Sequence, residues 1–228
     1  MIESNSINNN IQQIKVAVDC IIFGFNDNKL ELLLIKKKEN PEKGKWSLIG
    51  GFVGFDEDLD EAANRILSDL SGLQDIYMEQ IKTFGKVDRC SFDRIISSTY
   101  SAMILKSRYT EDKISKYNAQ WFPITEVPEL IFDHNDMVDI AIKRMRRRVR
   151  NFPIAFNLLP PKFTLPQLQV LYEGILDEEL DKRNFRRKVA QMKYLVRLEE
   201  KDMSESRRGA FLYRFDETLF ENEQNFNL

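Results

Sequence analysis

The chain has 228 residues with 43% hydrophobic and 31% charged side chains and a formal net charge of −2, a composition that excludes a disordered, fibrous or membrane-spanning protein. No apolar run approaches the roughly 20 residues that a bilayer crossing needs, and "MIESNSINNNIQQ" lacks the cationic start and apolar centre of a secretory signal, so a cytoplasmic location is expected. Cys20, Cys90 and a single His cannot assemble a zinc site, and the two cysteines read as buried free thiols.

Length favours two domains, and charge is divided to match. Residues 1–142 hold 16 Lys and Arg against 23 Asp and Glu, whereas residues 143–228 hold 18 against 13, so an acidic part precedes a basic part suited to a polyanion. A polar extension over 1–13 comes first. "IKVAVDCIIFGF" and "LELLLIK" then predict a β-hairpin, their β-branched and aromatic runs separated by the turn residues "NDNK". Gly50, Gly51 and Gly54 punctuate a loop, and the spacing predicts a helix over 57–71 that Gly72 ends. Strands are expected at "IKTFGKV", "IISSTYSAMIL" and within "AQWFPITEVP".

"DMVDIAIKRMRRRVR" has helical spacing through Met137, Ile140, Ala141 and Met145 and a dense basic end. Arg144, Arg146, Arg147, Arg148 and Arg150 admit two readings, contact with nucleic acid or a solvated helix face with cations at its C-terminus. "NFPIAFNLLPPKF" carries three prolines and reads as the connector, which bounds the domains at 14–150 and 151–228.

Thr164 is an N-cap with Pro166 in the first turn of a helix whose stripe is Leu165, Leu168, Leu171, Tyr172 and Ile175. "DEELDKRNFRRKVAQM" predicts a second helix with Phe185, Val189 and Met192 inward. Lys182, Arg183, Asn184, Arg186, Arg187 and Lys188 surround its other face. Arg reads guanine and Asn reads adenine in a major groove, and either holds phosphate, so these residues are candidates for double-stranded DNA binding. Two strands with a tip at Ser204, Ser206, Arg207, Arg208 and Gly209 follow, and Arg207 and Arg208 are further DNA candidates. Helix, turn, helix and hairpin describe a winged helix.

Residues 44–73 resemble the box of the Nudix family: a Gly, five residues, Glu, seven residues, Arg-Glu, an aliphatic, any residue, Glu-Glu, any residue, Gly and an aliphatic. Gly51, Glu57, Arg65, Leu67, Gly72 and Leu73 fall on matching positions, while Ile66, Asp69 and Leu70 stand where active members carry glutamates. Helical carboxylates hold the divalent cations of that chemistry, and Ile66 and Leu70 instead continue an apolar stripe with Leu59, Ala62 and Ala63. No catalytic residue, metal ligand or cofactor is therefore expected, and Arg65 is expected to brace the loop that ends at Glu57.

With "KWSLIGGFV", "FDH" at 132–134, "FNLLPPKFTLPQLQVLYE", "LDKRNFRRK" and "FLYRFD", the chain resembles the Nudix-related transcriptional regulators. That resemblance implies an α+β protein: an N-terminal Nudix-like α/β/α sandwich with a mixed sheet, then a C-terminal winged helix-turn-helix. It implies a homodimer that binds a palindromic operator and answers to a small-molecule effector. "SRRGAFLYRF" departs from the expected Gly-Arg-Pro-like wing. Branches of the family answer to ADP-ribose-like nucleotides or to sugars. With the metal seat lost, a pentose such as L-arabinose is the expected effector, and a nucleotide, or a residual hydrolase, is the alternative. Asp19, Lys36, Asp88, Arg89, Arg94 and Tyr100, polar positions on or beside strands facing the degenerate helix, are the candidate effector ligands. His134 reads either as a link from effector to basic helix or as a hydrogen-bonded loop histidine.

Overall fold

A computed structural model describes residues 13–26, 28–109, 114–204 and 208–221. The N-terminal part is a mixed sheet clasped between helices, as the sequence predicts. Strand β1 (Lys15–Asn26) is its spine, antiparallel to β2 (Lys29–Lys36) and to β4 (Ile49–Phe52), and parallel to β6 (Ile95–Ile104). The two-residue β3 (Trp46–Ser47) and β7 (Ala119–Pro123) join β2, and β5 (Glu79–Phe84) lies on the outer edge of β6. Alternation along β1 sorts its side chains to two faces. Val18, Cys20 and Ile22 pack with α1 (Leu59–Ser71), while Ile21 and Phe23 join a core that includes α2 (His134–Val149).

The glycine loop expected at 50–51 is a strand. Gly50 pairs with Asp19 and Gly51 with Val18. A Cβ on Gly50 would stand 1.9 Å from Asp19 Oδ1, and one on Gly51 3.1 Å from Ile66 Cδ1. Glycine permits the close approach of β4 to a polar group on one face and to α1 on the other.

Helix α1 starts two residues later than predicted because Asp58 is its N-cap, in a capping box with Glu61, and Gly72 closes it at φ 71°. Glu57 is thereby left in the loop.

The C-terminal part comprises α3 (Leu165–Leu176), α4 (Lys182–Val189) and a three-stranded sheet of β8 (Phe163–Thr164), β10 (Ala210–Phe215) and β9 (Leu195–Asp202), ordered β8–β10–β9. Thr164 and Gln167 form the capping box of α3, with Pro166 in its first turn. Helix α4 is shorter than predicted: residues 177–181 form the connection, with Asp177 left-handed at φ 60°. The Glu173 carboxylate accepts from Leu180 N at 3.0 Å and from Gln169 Nε2 at 2.9 Å, which ties that connection to α3. A short α5 (Glu217–Glu221) follows, and Phe220 meets the Tyr194 ring edge-on at 5.3 Å.

The connector is packed rather than loose. Residues Pro153–Leu158 form a 3₁₀ helix whose Phe156 is buried and stacks on Phe215 at 4.7 Å. One apolar cluster runs from Phe23 and Leu32 of the sheet through Met145 of α2 to Leu171 and Phe185 of the winged helix. Gly174 of α3 lies so near the β1–β2 turn that a Cβ there would meet Phe25 Cε2 at 2.8 Å. Among the described residues no helix is long and apolar enough to cross a membrane.

Candidate functional site: degenerate box and DNA-reading surface

Glu57, held outside α1 by the cap at Asp58, accepts from Arg65 Nε at 2.8 Å, from Arg65 Nη2 at 2.5 Å and from Gly54 N at 2.6 Å; Arg65 also reaches Phe52 O at 3.1 Å. Arg65 therefore braces the loop, as its sequence position predicts. The Arg65 guanidinium, through its hydrogen bonds and its charge, and the Gly54 amide lower the Glu57 pKa to about 2. A carboxylate depressed on folding contributes stability that is present above its ordinary range and lost as pH falls through its folded value. The stability difference between wild type and Glu57→Gln, measured by denaturant melts, is expected to be constant from pH 7 to about 5 and to shrink between there and about pH 2.

The residues do not fit a divalent cation. Ile66 is buried beneath Gly51, Leu70 packs on the same apolar cluster, and Asp69 stands in solvent with Arg65 Nη1 3.8 Å away. Glu57 is fully engaged by the arginine. Aliphatics at two of the box's ligand positions supply no oxygens to a hard cation there.

The candidate effector residues divide between the two faces. Tyr100 is on the α1 side, where its hydroxyl donates to Asp60 Oδ1 at 2.5 Å; burial and that carboxylate raise its pKa. Asp19 and Arg89 lie on the opposite face, so the six residues do not share a pocket facing the degenerate helix. Asp19 accepts from Ser97 Oγ at 2.5 Å and lies 3.8 Å from Arg89. Arg89, with 3% of its side chain exposed, donates bidentately to Asp133 at 2.7 and 3.1 Å. His134 completes the network: its Nδ1 accepts from Leu48 N at 3.2 Å, and its Nε2 stands 3.5 Å from Asp19 Oδ1. Burial lowers its pKa, and the Leu48 bond fixes Nδ1 as the acceptor. It is thus a buried, hydrogen-bonded histidine at the start of α2.

Arg94 donates to Gly85 O and Lys86 O at 3.1 and 3.2 Å, and Asp88 is exposed in the same 85–94 loop. Lys36 lies apart, over the Trp46 ring at 5.5 Å. What sequence reasoning missed is that this loop closes on the N-terminal end of α2 through Arg89–Asp133 and, at 3.9 Å, Lys86–Asp136. The partners are more than 40 residues apart, and no local pattern couples them.

The basic end of α2 is internal bracing in large part. Arg144 donates to Glu79 at 3.0 Å and Arg148 pairs with the same carboxylate. Arg146 donates to Ile175 O at 2.9 Å and pairs with Asp177 at 3.2 Å, and Arg150 bonds Glu178 at 2.9 Å. These bonds oppose the nucleic-acid reading for four of the five arginines and carry α2 onto the winged helix.

Helix α4 presents the opposite character. Phe185 and Val189 are buried, whereas Lys182, Arg183, Asn184, Arg186 and Arg187 are exposed and Lys188 is half-buried. Asp181 caps the helix through Asn184 N at 2.7 Å, and Arg187 donates to Asn184 Oδ1 at 2.7 Å. Arg208 is exposed beside Gly209, whose φ of 65° turns the hairpin; Arg207 lies outside the described residues. On the wing, Phe211 lies between Arg197 at 4.6 Å and Lys201 at 4.7 Å.

A sheet sandwich whose Nudix box has aliphatics at two metal positions, joined to a winged helix with a cationic second helix, defines a fusion of a Nudix domain and a DNA-binding domain. Known proteins of the same build agree: residues 13–140 match the Nudix domain family and residues 155–215 the NrtR DNA-binding winged helix domain. The chain belongs to the Nudix family, in the group that carries this winged helix. It is similar to the ADPR responsive transcriptional repressor NtrR of Acinetobacter baylyi, 32% identical over 206 residues that make up 88% of this chain and 81% of that protein. It is similar in structure to Shewanella oneidensis NrtR complexed with a 27mer DNA, with TM-score 0.79, 27% identity and coverage of 90% of this chain and 95% of that one. The Nudix domain of the Shewanella protein complexed with ADP ribose matches with TM-score 0.53 and 26% identity over 61% of this chain and 94% of its own. The sugar-responsive expectation finds no support in these relatives.

Proposed function

We propose that the chain is a DNA-binding transcriptional regulator that recognises an ADP-ribose-like nucleotide through its Nudix domain and does not hydrolyse it. The reading rests on one observation above others: an exposed cationic helix shares a continuous core with a Nudix domain in which aliphatics, Ile66 buried and Leu70 half-buried, stand at two of the metal positions. The nucleotide takes the place of the pentose as the preferred effector. Loss of the metal seat removes one means of neutralising a diphosphate, and Arg89 and Lys86 of the 85–94 loop are already paired with Asp133 and Asp136, so the support for a nucleotide comes from the ADP-ribose responsiveness and the ADP-ribose complex of the relatives. Phe132, 38% exposed and held at φ 53°, meets His134 edge-on beside that loop and offers a ring to a base.

Helix α2 supplies the physical link. Its first turn belongs to the Asp19–Arg89–Asp133–His134 network, and its last turns hold α3 and the following connection through Arg146 and Arg150. An effector that binds two placements of α2 with different affinity shifts the placement of α4, and in a homodimer the fit of two such helices to adjacent half-sites.

Incubation with ADP-ribose and Mg²⁺ or Mn²⁺ is expected to leave the nucleotide intact while calorimetry detects binding. Turnover abolished by Glu57→Gln would assign the chain to the hydrolases instead.

A further inference from the structure

Where β6, α2, the connector and β10 meet, a cleft of about 650 Å³ opens, within the roughly 300–1,000 Å³ range of small-molecule sites. Phe23, Ser101 and Met103 of the sheet line it on one side, and Phe156, Asn157 and Phe215 of the connector and wing on another. Arg144 and Arg148, one turn apart on α2, also line it, and both hold the carboxylate of Glu79. That pair is a two-guanidinium seat already shaped for an anion, and Arg144 Nε is buried with no hydrogen-bond partner among the described residues. Tyr77, two residues before Glu79, stands at the same cleft and is 88% exposed.

We propose that this cleft is a second ligand site, for a nucleoside monophosphate. The phosphate replaces the Glu79 carboxylate between Arg144 and Arg148, the base lies on Tyr77, and the Ser101 hydroxyl and the Asn157 amide are the polar groups for the sugar. The site is separate from the 85–94 loop and does not depend on which effector the Nudix domain takes. Its walls come from both domains, so occupancy bears directly on how the winged helix is held.

Calorimetry of the full chain with AMP tests this. Saturable binding is expected, weakened at least tenfold by Arg144→Ala and by Arg148→Ala, and strengthened by Glu79→Gln, which removes the competing charge. Adenosine is expected to bind at least tenfold more weakly than AMP. Photolabelling of the wild-type chain with 8-azido-AMP keeps the test independent of whether a variant folds. Label on peptides containing residues 75–79, 101–109 or 153–161 supports the site. Absence of saturable binding, an affinity indifferent to all three substitutions, or label confined to 85–94 would overturn it.

Discussion

Changing Arg186 and Arg187 together to Ala is expected to weaken binding to a DNA site selected from a random library by about 2–6 kcal/mol, roughly thirtyfold to more than ten-thousandfold. Both side chains are exposed on α4, whose Phe185 and Val189 alone enter the core, so the weakening comes from the DNA interface and not from folding. Circular dichroism and the melting temperature of the variant, both expected to match the wild type, check that point. If either arginine holds a phosphate, the slope of log affinity against log salt falls by about one for each phosphate that is no longer neutralised. Arg187 is oriented by Asn184, so Asn184→Ala is expected to reduce discrimination among sites more than overall affinity. An affinity indifferent to all three changes would remove α4 from the DNA interface.

The second large effect concerns the interior of the Nudix domain. Asp133→Ala is expected to destabilise the chain by about 3–5 kcal/mol, because it strips a buried guanidinium of its bidentate partner. Arg89 has 3% of its side chain exposed, and its remaining carboxylate, Asp19, is 3.8 Å away and shared with Ser97 and His134. Replacing both charges, as in Arg89→Met with Asp133→Ala, is expected to recover part of the stability, since it removes the stranded guanidinium and leaves Asp19 to Ser97 and His134. Urea denaturation of the two singles and the double measures this coupling. Additive effects would mean that the pair is not a unit.

Local chemistry made much of this architecture legible. The alternation of β1, the Gly72 end of α1, the Thr164 cap and the inward stripe of α4 are short-range signals that the structure bears out, while the starts of α1 and α4 fall later than their patterns suggest because Asp58 and Asp181 are the N-caps. The Arg65 brace followed from the spacing of the box, because eight residues along a loop and helix return the guanidinium to Glu57. Long-range pairing was not legible. Gly50 and Gly51 are turn residues by composition, and only the proximity of Asp19 and Ile66 explains why they occupy a strand. Arg144, Arg146, Arg148 and Arg150 read as a free basic run because Glu79, Asp177 and Glu178, which hold them, come from other elements. The effector preference rested on the loss of the metal seat, Ile66 and Leu70 standing for glutamates, which by itself does not separate a sugar from a nucleotide.

If a nucleotide on the Nudix domain governs the DNA affinity of the winged helix, the two bindings must be coupled and the nucleotide must survive. Both are measured by titrating the chain onto its selected DNA site with and without ADP-ribose, with L-arabinose in parallel and the nucleotide recovered afterwards. ADP-ribose is expected to change the DNA affinity by roughly 5–150-fold and to be recovered intact, while L-arabinose changes nothing. An affinity that ignores ADP-ribose, or a response that requires its cleavage, would contradict that coupling.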